Sequence, residues 1–102
     1  MTTNALLDIP PEAVESFCHK WRIKELALFG SALRTDFRSD SDVDLLTTFA
    51  GGANWSIFDL ARMREELSSL LGREADVLEL GGLRNPFRRR EILATRKVIY
   101  AA

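Results

Sequence analysis

The sequence is poor in residues that cross-link, ligate soft metals or stiffen a chain. Among 102 residues there is one cysteine, one histidine, one tyrosine and three prolines. A lone thiol, Cys18, has no disulfide partner within the chain, which removes the cystine-framework class and makes the cytoplasm the expected compartment. One histidine and one cysteine cannot supply the nitrogen and sulfur ligand sets that zinc prefers. Charge of one sign is also missing: 14 Lys+Arg stand against 15 Asp+Glu, a net charge of -1. The broad attraction to phosphate on which general nucleic-acid binders depend is therefore absent. No run approaches the ~18 apolar residues of a membrane span. The opening Met1-Thr2-Thr3-Asn4 lacks the basic and apolar stretches of a secretory leader. The expectation is one ordered domain over residues 1–102, with neither a membrane nor a direct nucleic-acid partner.

What is present is an alternation of helical and extended patterns. Pro10-Pro11 opens an amphipathic stretch from Glu12 to Trp21, with Val14, Phe17, Cys18 and Trp21 at helical spacing. Leu26-Ala27-Leu28-Phe29 is a short continuous apolar run stopped by Gly30, which suits a strand buried on both faces. A brief helical segment is expected from Ser31, and a second strand from Val43 to Phe49, closed by Gly51-Gly52. Ser56 and Asp59 form a capping-box variant, with Trp55 and Leu60 at staple positions. The helix they start has an apolar face of Leu60, Met63, Leu67, Leu70 and Leu71, and Gly72 ends it. A third strand runs from Ala75 to Leu80. Asn85-Pro86 then caps a last helix reaching about Thr95, and Val98-Ile99-Tyr100 adds a short extended piece. The fold class is α/β (α+β): a small mixed sheet flanked by helices.

The chemistry concentrates in two neighbouring segments. Residues two apart in a strand share a face, so Asp42 and Asp44 stand side by side at the mouth of an otherwise apolar strand. Two such carboxylates repel, and a cation relieves the cost of holding them together. Clustered carboxylates with room for water and phosphate oxygens suit magnesium. Gly30-Ser31 lies where a buried strand gives way to a helix, so backbone N–H groups there can hold an anion, and glycine lets it come close. The Ser31 hydroxyl adds a donor and Arg34 a positive charge. A phosphate cradle upstream of a metal-binding pair points to a nucleoside triphosphate bound through magnesium.

Gly30-Ser31, ten intervening residues, then Asp42-Val43-Asp44 resembles the signature of the DNA polymerase beta-like nucleotidyltransferase superfamily, and most closely its minimal single-domain members, the MNT proteins. The likeness extends to Leu26-Ala27-Leu28-Phe29, Asp36-Phe37-Arg38-Ser39-Asp40-Ser41, Phe58-Asp59-Leu60 and Asn85-Pro86-Phe87. It departs at Thr35, where relatives often carry glycine, and at Ser39, where proline is common; both lie in the loop and leave the metal ligands untouched. The resemblance implies a nucleotidyltransferase fold, with ATP as substrate and a pair of magnesium ions held by Asp42, Asp44 and a third carboxylate on a neighbouring strand. Asp76 matches that third position, with Glu74 and Glu79 as competitors, and would help deprotonate the attacking hydroxyl. It further implies the antitoxin role of HEPN/MNT pairs, in which AMP passes to a tyrosine of a helical HEPN toxin partner in a hetero-oligomer. A binding-only antitoxin that blocks its toxin sterically is the alternative. Transfer to a small molecule or RNA would need an accessory subunit.

Other reactive residues have plainer readings. An EF-hand beginning at Asp40 fails because Leu45 and Gly51 stand where that loop needs glycine and glutamate. Cys18 and His19 lie on a packing helix and read as structural, since no base arrangement accompanies them. The run Arg88-Arg89-Arg90 reads as a solvated helix face, with an acidic partner or RNA as the alternative.

Overall fold

A computed structural model describes residues 9–33 and 42–102. Helix α1 (Pro11–Lys20) leads into strand β1 (Ile23–Phe29) and a single 3-10 turn over Gly30–Leu33. Strand β2 (Val43–Phe49), helix α2 (Ile57–Leu71) and strand β3 (Ala75–Glu79) follow. A short 3-10 turn at Leu80–Gly82, helix α3 (Pro86–Thr95) and strand β4 (Lys97–Ala101) complete the described chain. The sheet order is β3-β2-β1-β4. β1 runs antiparallel to both β2 and β4, while β2 and β3 are parallel and joined through α2. The sheet is mixed, as expected. Among the described residues no helix is long and apolar enough to cross a membrane.

Local chemistry fixes the element ends. The Ser56 hydroxyl accepts the Asp59 N–H at 3.1 Å, and the Asp59 carboxylate accepts the Ser56 N–H at 2.9 Å, so two orphan donors at the start of α2 are satisfied reciprocally. Gly72 closes the same helix at φ 72, a left-handed geometry that costs glycine little. Asn85 caps α3 with Pro86 in the first turn. Strand β1 begins three residues before the expected Leu26: Ile23 is buried, Lys24 exposed and Glu25 half-buried, the pairing with β2 shifts register between Ile23 and Glu25, and only the second half is apolar throughout. The third strand ends at Glu79, because Leu80 already belongs to the 3-10 turn. The expected extended piece at the end of the chain is a full strand, β4, paired with β1.

Alternation along the strands divides the core. On one face α1 (Val14, Phe17, Cys18) and α2 (Met63, Leu67, Leu71) pack against Leu26, Leu28, Val43, Leu45 and Ala75. On the other, Ile92 of α3 packs with Phe29, Leu46 and Leu83, and Leu78 adjoins them. Burial pushes the Cys18 thiol up to about 12, so it stays protonated as a core group. Helices α1 and α2 are also tied by polar contacts. Lys20 Nζ and Trp21 Nε1 both donate to the Glu66 carboxylate, at 2.8 and 3.0 Å. Trp55 Nε1 donates to the Trp21 carbonyl at 3.0 Å, with the two indoles edge to face.

Two outcomes follow for stability. Met63 is fully buried whereas Ile57, on the same helix, is 76% exposed. Met63→Ala should cost about 2–5 kcal/mol in urea unfolding, and Ile57→Ala less than about 0.5 kcal/mol. The Lys20 hydrogen bond, opposed by partial burial and reinforced by Trp21 and nearby charge, holds the Glu66 carboxyl below the ordinary glutamate range. A depressed folded pKa stabilises above the unfolded value, and that contribution is lost as pH falls through the folded one. Glu66→Gln should therefore be less stable than the parent at pH ~7, by at most about 1 kcal/mol since the pair is partly solvated. The gap should close in urea titrations repeated below pH ~4.

Candidate active site at the strand mouths

The register of the sheet brings the carboxylates into one row. Asp44, second residue of β2, lies opposite Phe29 on β1 and Asp76 on β3. Residues in such a row project to one face. Phe29 belongs to the α3-side cluster, as do Leu46 and Leu78, which lie two residues beyond Asp44 and Asp76. Asp44 and Asp76 therefore stand on the α3 face, at the end of the strands that α3 leaves uncovered. Asp42 immediately precedes β2 and continues the alternation toward the same face. Asp44 is half-buried, while Asp42 and Asp76 are exposed. Glu79, a competitor for the third position, pairs with Thr47 at the far end of β3, and Glu74 precedes the strand.

Gly30 closes the opposite side of this row. It has φ 67, a conformation that residues with a Cβ rarely adopt, and it begins the 3-10 turn directly after β1. A Cβ at Gly30 would lie 2.6 Å from the Asp44 Oδ2 atom, well inside contact distance. Glycine thus suits the left-handed turn, and any Cβ here would push the Asp44 carboxylate aside. Ser31 lies in the same 3-10 turn. Arg34 falls outside the described residues.

A cavity of about 450 Å³ opens beside Gly30 and Asp44, between the 3-10 turn and α3. Its walls are Phe29, Gly30, Leu33 and Asp44 on one side and Arg88, Glu91, Ile92 and Thr95 on the other. That volume lies within the range of roughly 300–1,000 Å³ typical of small-molecule sites. The α3 wall was not anticipated, because Arg88-Arg89-Arg90 reads as a single block in the sequence. The spacing of residues 88, 91, 92 and 95 around the apolar Ile92 was the signal that could have found it. Among the described residues, no three His, Cys, Asp or Glu side chains are gathered closely enough to hold a metal unaided.

Comparison with known proteins identifies the family. The model of the nucleotidyltransferase domain family matches residues 11–99. A Methanocaldococcus jannaschii protein, provisionally named a protein adenylyltransferase, is 41% identical over 59 residues, covering 58% of this chain and 61% of that relative. A solved structure, provisionally described as a minimal nucleotidyltransferase, superposes with a TM-score of 0.68 at 36% identity, covering 88% of this chain and 87% of its own. The fold is shared more distantly with a chain of the complex between a tri-AMPylated Shewanella oneidensis HEPN toxin and its MNT antitoxin. There the TM-score is 0.63 at 15% identity, over 90% of this chain and 70% of that one. The family match takes in Gly30, the Asp42 and Asp44 pair and Asp76 together, and the chain belongs to the nucleotidyltransferase domain family.

Proposed function

We propose that this domain transfers AMP from ATP to a hydroxyl of a partner protein, a tyrosine of a HEPN-type toxin, and so acts as an antitoxin in the cytoplasm. The observation that carries the reading is the register of Asp44 beside Asp76, with Gly30 against Asp44 at the wall of a cavity of about 450 Å³. The naming of the archaeal relative supports a protein acceptor, and the AMPylated toxin bound to an antitoxin of the same fold supports the kind of partner. The exposure of Phe58 and Phe87, at 79% and 80%, gives the surface aromatic anchors of the kind that protein interfaces bury.

The donor set at the strand mouths is all oxygen, which fits magnesium. Asp42, Asp44 and Asp76 would hold the ions, and Mg2+ supplies charge neutralisation for the triphosphate and its leaving pyrophosphate. Magnesium commonly takes one or two protein carboxylates and completes its shell with water and substrate oxygens, so a cage built from protein alone is not required. The chain's own groups do the positioning. Gly30 keeps the space beside Asp44 clear, so backbone N–H groups of the Gly30–Leu33 turn can meet phosphate oxygens. Asp76 is exposed, so an acceptor arriving from another protein can reach it. In the transfer, the acceptor oxygen bonds to the α-phosphorus as the bond to the bridging oxygen breaks. Pyrophosphate departs, and the Asp76 carboxylate takes the hydroxyl proton.

Intact-mass measurement of this chain and its partner after incubation with magnesium and ATP tests the reading. Added AMP units on the partner are expected, and they should vanish with Asp42→Asn/Asp44→Asn. A tight complex without any mass change would contradict transfer and favour steric neutralisation. Gly30→Ala should lower the transfer rate by at least about tenfold, because its Cβ collides with Asp44 Oδ2. A rate equal to the parent would show that close approach at Gly30 is not needed.

A further inference from the structure

Arg88-Arg89-Arg90 is contiguous in sequence but divided in space. Successive residues of an α-helix are turned by roughly 100° from one another. Arg88 lines the cavity with Gly30 and Asp44, whereas Arg89 and Arg90 line a separate groove with Pro86, Leu93 and Ala94. Burial of Ile92 against Phe29 and Leu46 sets the rotation of α3 that produces this division.

The helix that presents Arg88 is held at both ends. The Asn85 Oδ1 atom accepts the N–H groups of Phe87 and Arg88 at 3.0 and 3.2 Å, and Pro86 sits in the first turn. Past the last turn, Arg96 Nε donates to the Glu25 carboxylate at 2.7 Å, tying the end of α3 to β1. The backbone of Arg88 is thereby fixed relative to the sheet that carries Asp44.

Charge decides what such an arginine does. Among the described residues lining the cavity, Asp44 and Glu91 are anions and Arg88 is the only cation. A polyphosphate entering a cleft already lined by carboxylates is repelled unless positive charge meets it. A guanidinium presents a planar fork of donors that matches two phosphate oxygens at once. We infer that Arg88 is a phosphate-binding residue of the nucleotide site, reaching from α3 to the triphosphate tail across the cavity from Gly30 and Asp44. The inference rests on the proposed nucleotidyl-transfer reading and names a contact on a helix that the sequence signature does not include.

Calorimetric titration of the full chain with ATP, ADP and AMP in magnesium buffer tests it. The proteins are the parent, Arg88→Ala, Arg88→Gln, Arg88→Lys and the outer pair Arg89→Ala/Arg90→Ala. Arg88→Ala and Arg88→Gln should weaken ATP binding by about tenfold or more, and AMP binding by less than about threefold. Arg88→Lys should recover part of the loss, and the outer pair should bind as the parent does. Unchanged ATP affinity in Arg88→Ala and Arg88→Gln, or an equal loss for ATP and AMP, would overturn the phosphate contact. A parent that binds none of the three nucleotides would overturn the nucleotide-site reading itself, a result distinct from a parent that binds and a variant that does not differ. Thermal unfolding of each variant accompanies the titrations, and a weakened ATP affinity counts for the inference when the midpoint matches the parent.

Discussion

The backbone ladder that sets Phe29, Asp44 and Asp76 in register is the constraint on which the site depends. A slip of one residue in β2 would turn Asp44 to the α1–α2 face and bring Val43 or Leu45 to the α3 face, because side chains alternate with a period of two. What prevents the slip is the apolar half of the same strands. Val43 and Leu45 are both fully buried, packed with Met63 and Leu67 of α2 and with Phe17 and Cys18 of α1. The hydrophobic core on one face therefore specifies the position of the carboxylates on the other. The acidic residues fall at the second positions of β2 and β3, where Asp76 is exposed and Asp44 half-buried, so the buried interior of the strands stays uncharged.

The two faces are covered unequally, and that inequality creates the cavity. Two helices close one face, whereas α3 and the Leu80–Leu83 segment cover the other. Among the described residues, the cavity beside Gly30 and Asp44 opens at the strand mouths on that side. Gly30 finishes the wall by carrying the backbone past Asp44 without a side chain. An all-oxygen acidic row, a close backbone approach and a facing arginine are together suited to an anionic ligand carrying a divalent cation.

Much of this was legible in the sequence because the controlling chemistry is local. The Ser56–Asp59 capping box, Gly72 and Asn85-Pro86 marked helix ends through short-range hydrogen bonds and backbone geometry. Gly30 and the spacing to Asp42 and Asp44 marked the candidate site. The placement of Asp76 came from resemblance, and the parallel pairing of Asp44 with Asp76 puts it beside its expected neighbour. Features set by distant contacts were not readable. The true start of β1 depends on Ile23 finding Phe49 across the sheet, and β4 gains its identity from pairing with β1. The separation of Arg88 from Arg89 and Arg90 depends on how Ile92 seats against Phe29, which no local pattern of charge reveals. Arg34, the cation expected from sequence, lies outside the described residues, and among the described residues the cation lining the cavity is Arg88.

If nucleotide is held at the strand mouths on the α3 face, its arrival perturbs the backbone there. Backbone amide chemical-shift mapping of the labelled protein, titrated with a non-hydrolysable ATP analogue and magnesium, measures this most directly. The largest shifts are expected at Gly30, Asp44, Asp76, Arg88 and Glu91, while Val14, Phe17 and Cys18 on the opposite face stay still. Largest shifts on α1, or along the outer groove of Arg89, Arg90 and Leu93 with Gly30 and Asp44 unmoved, would contradict it.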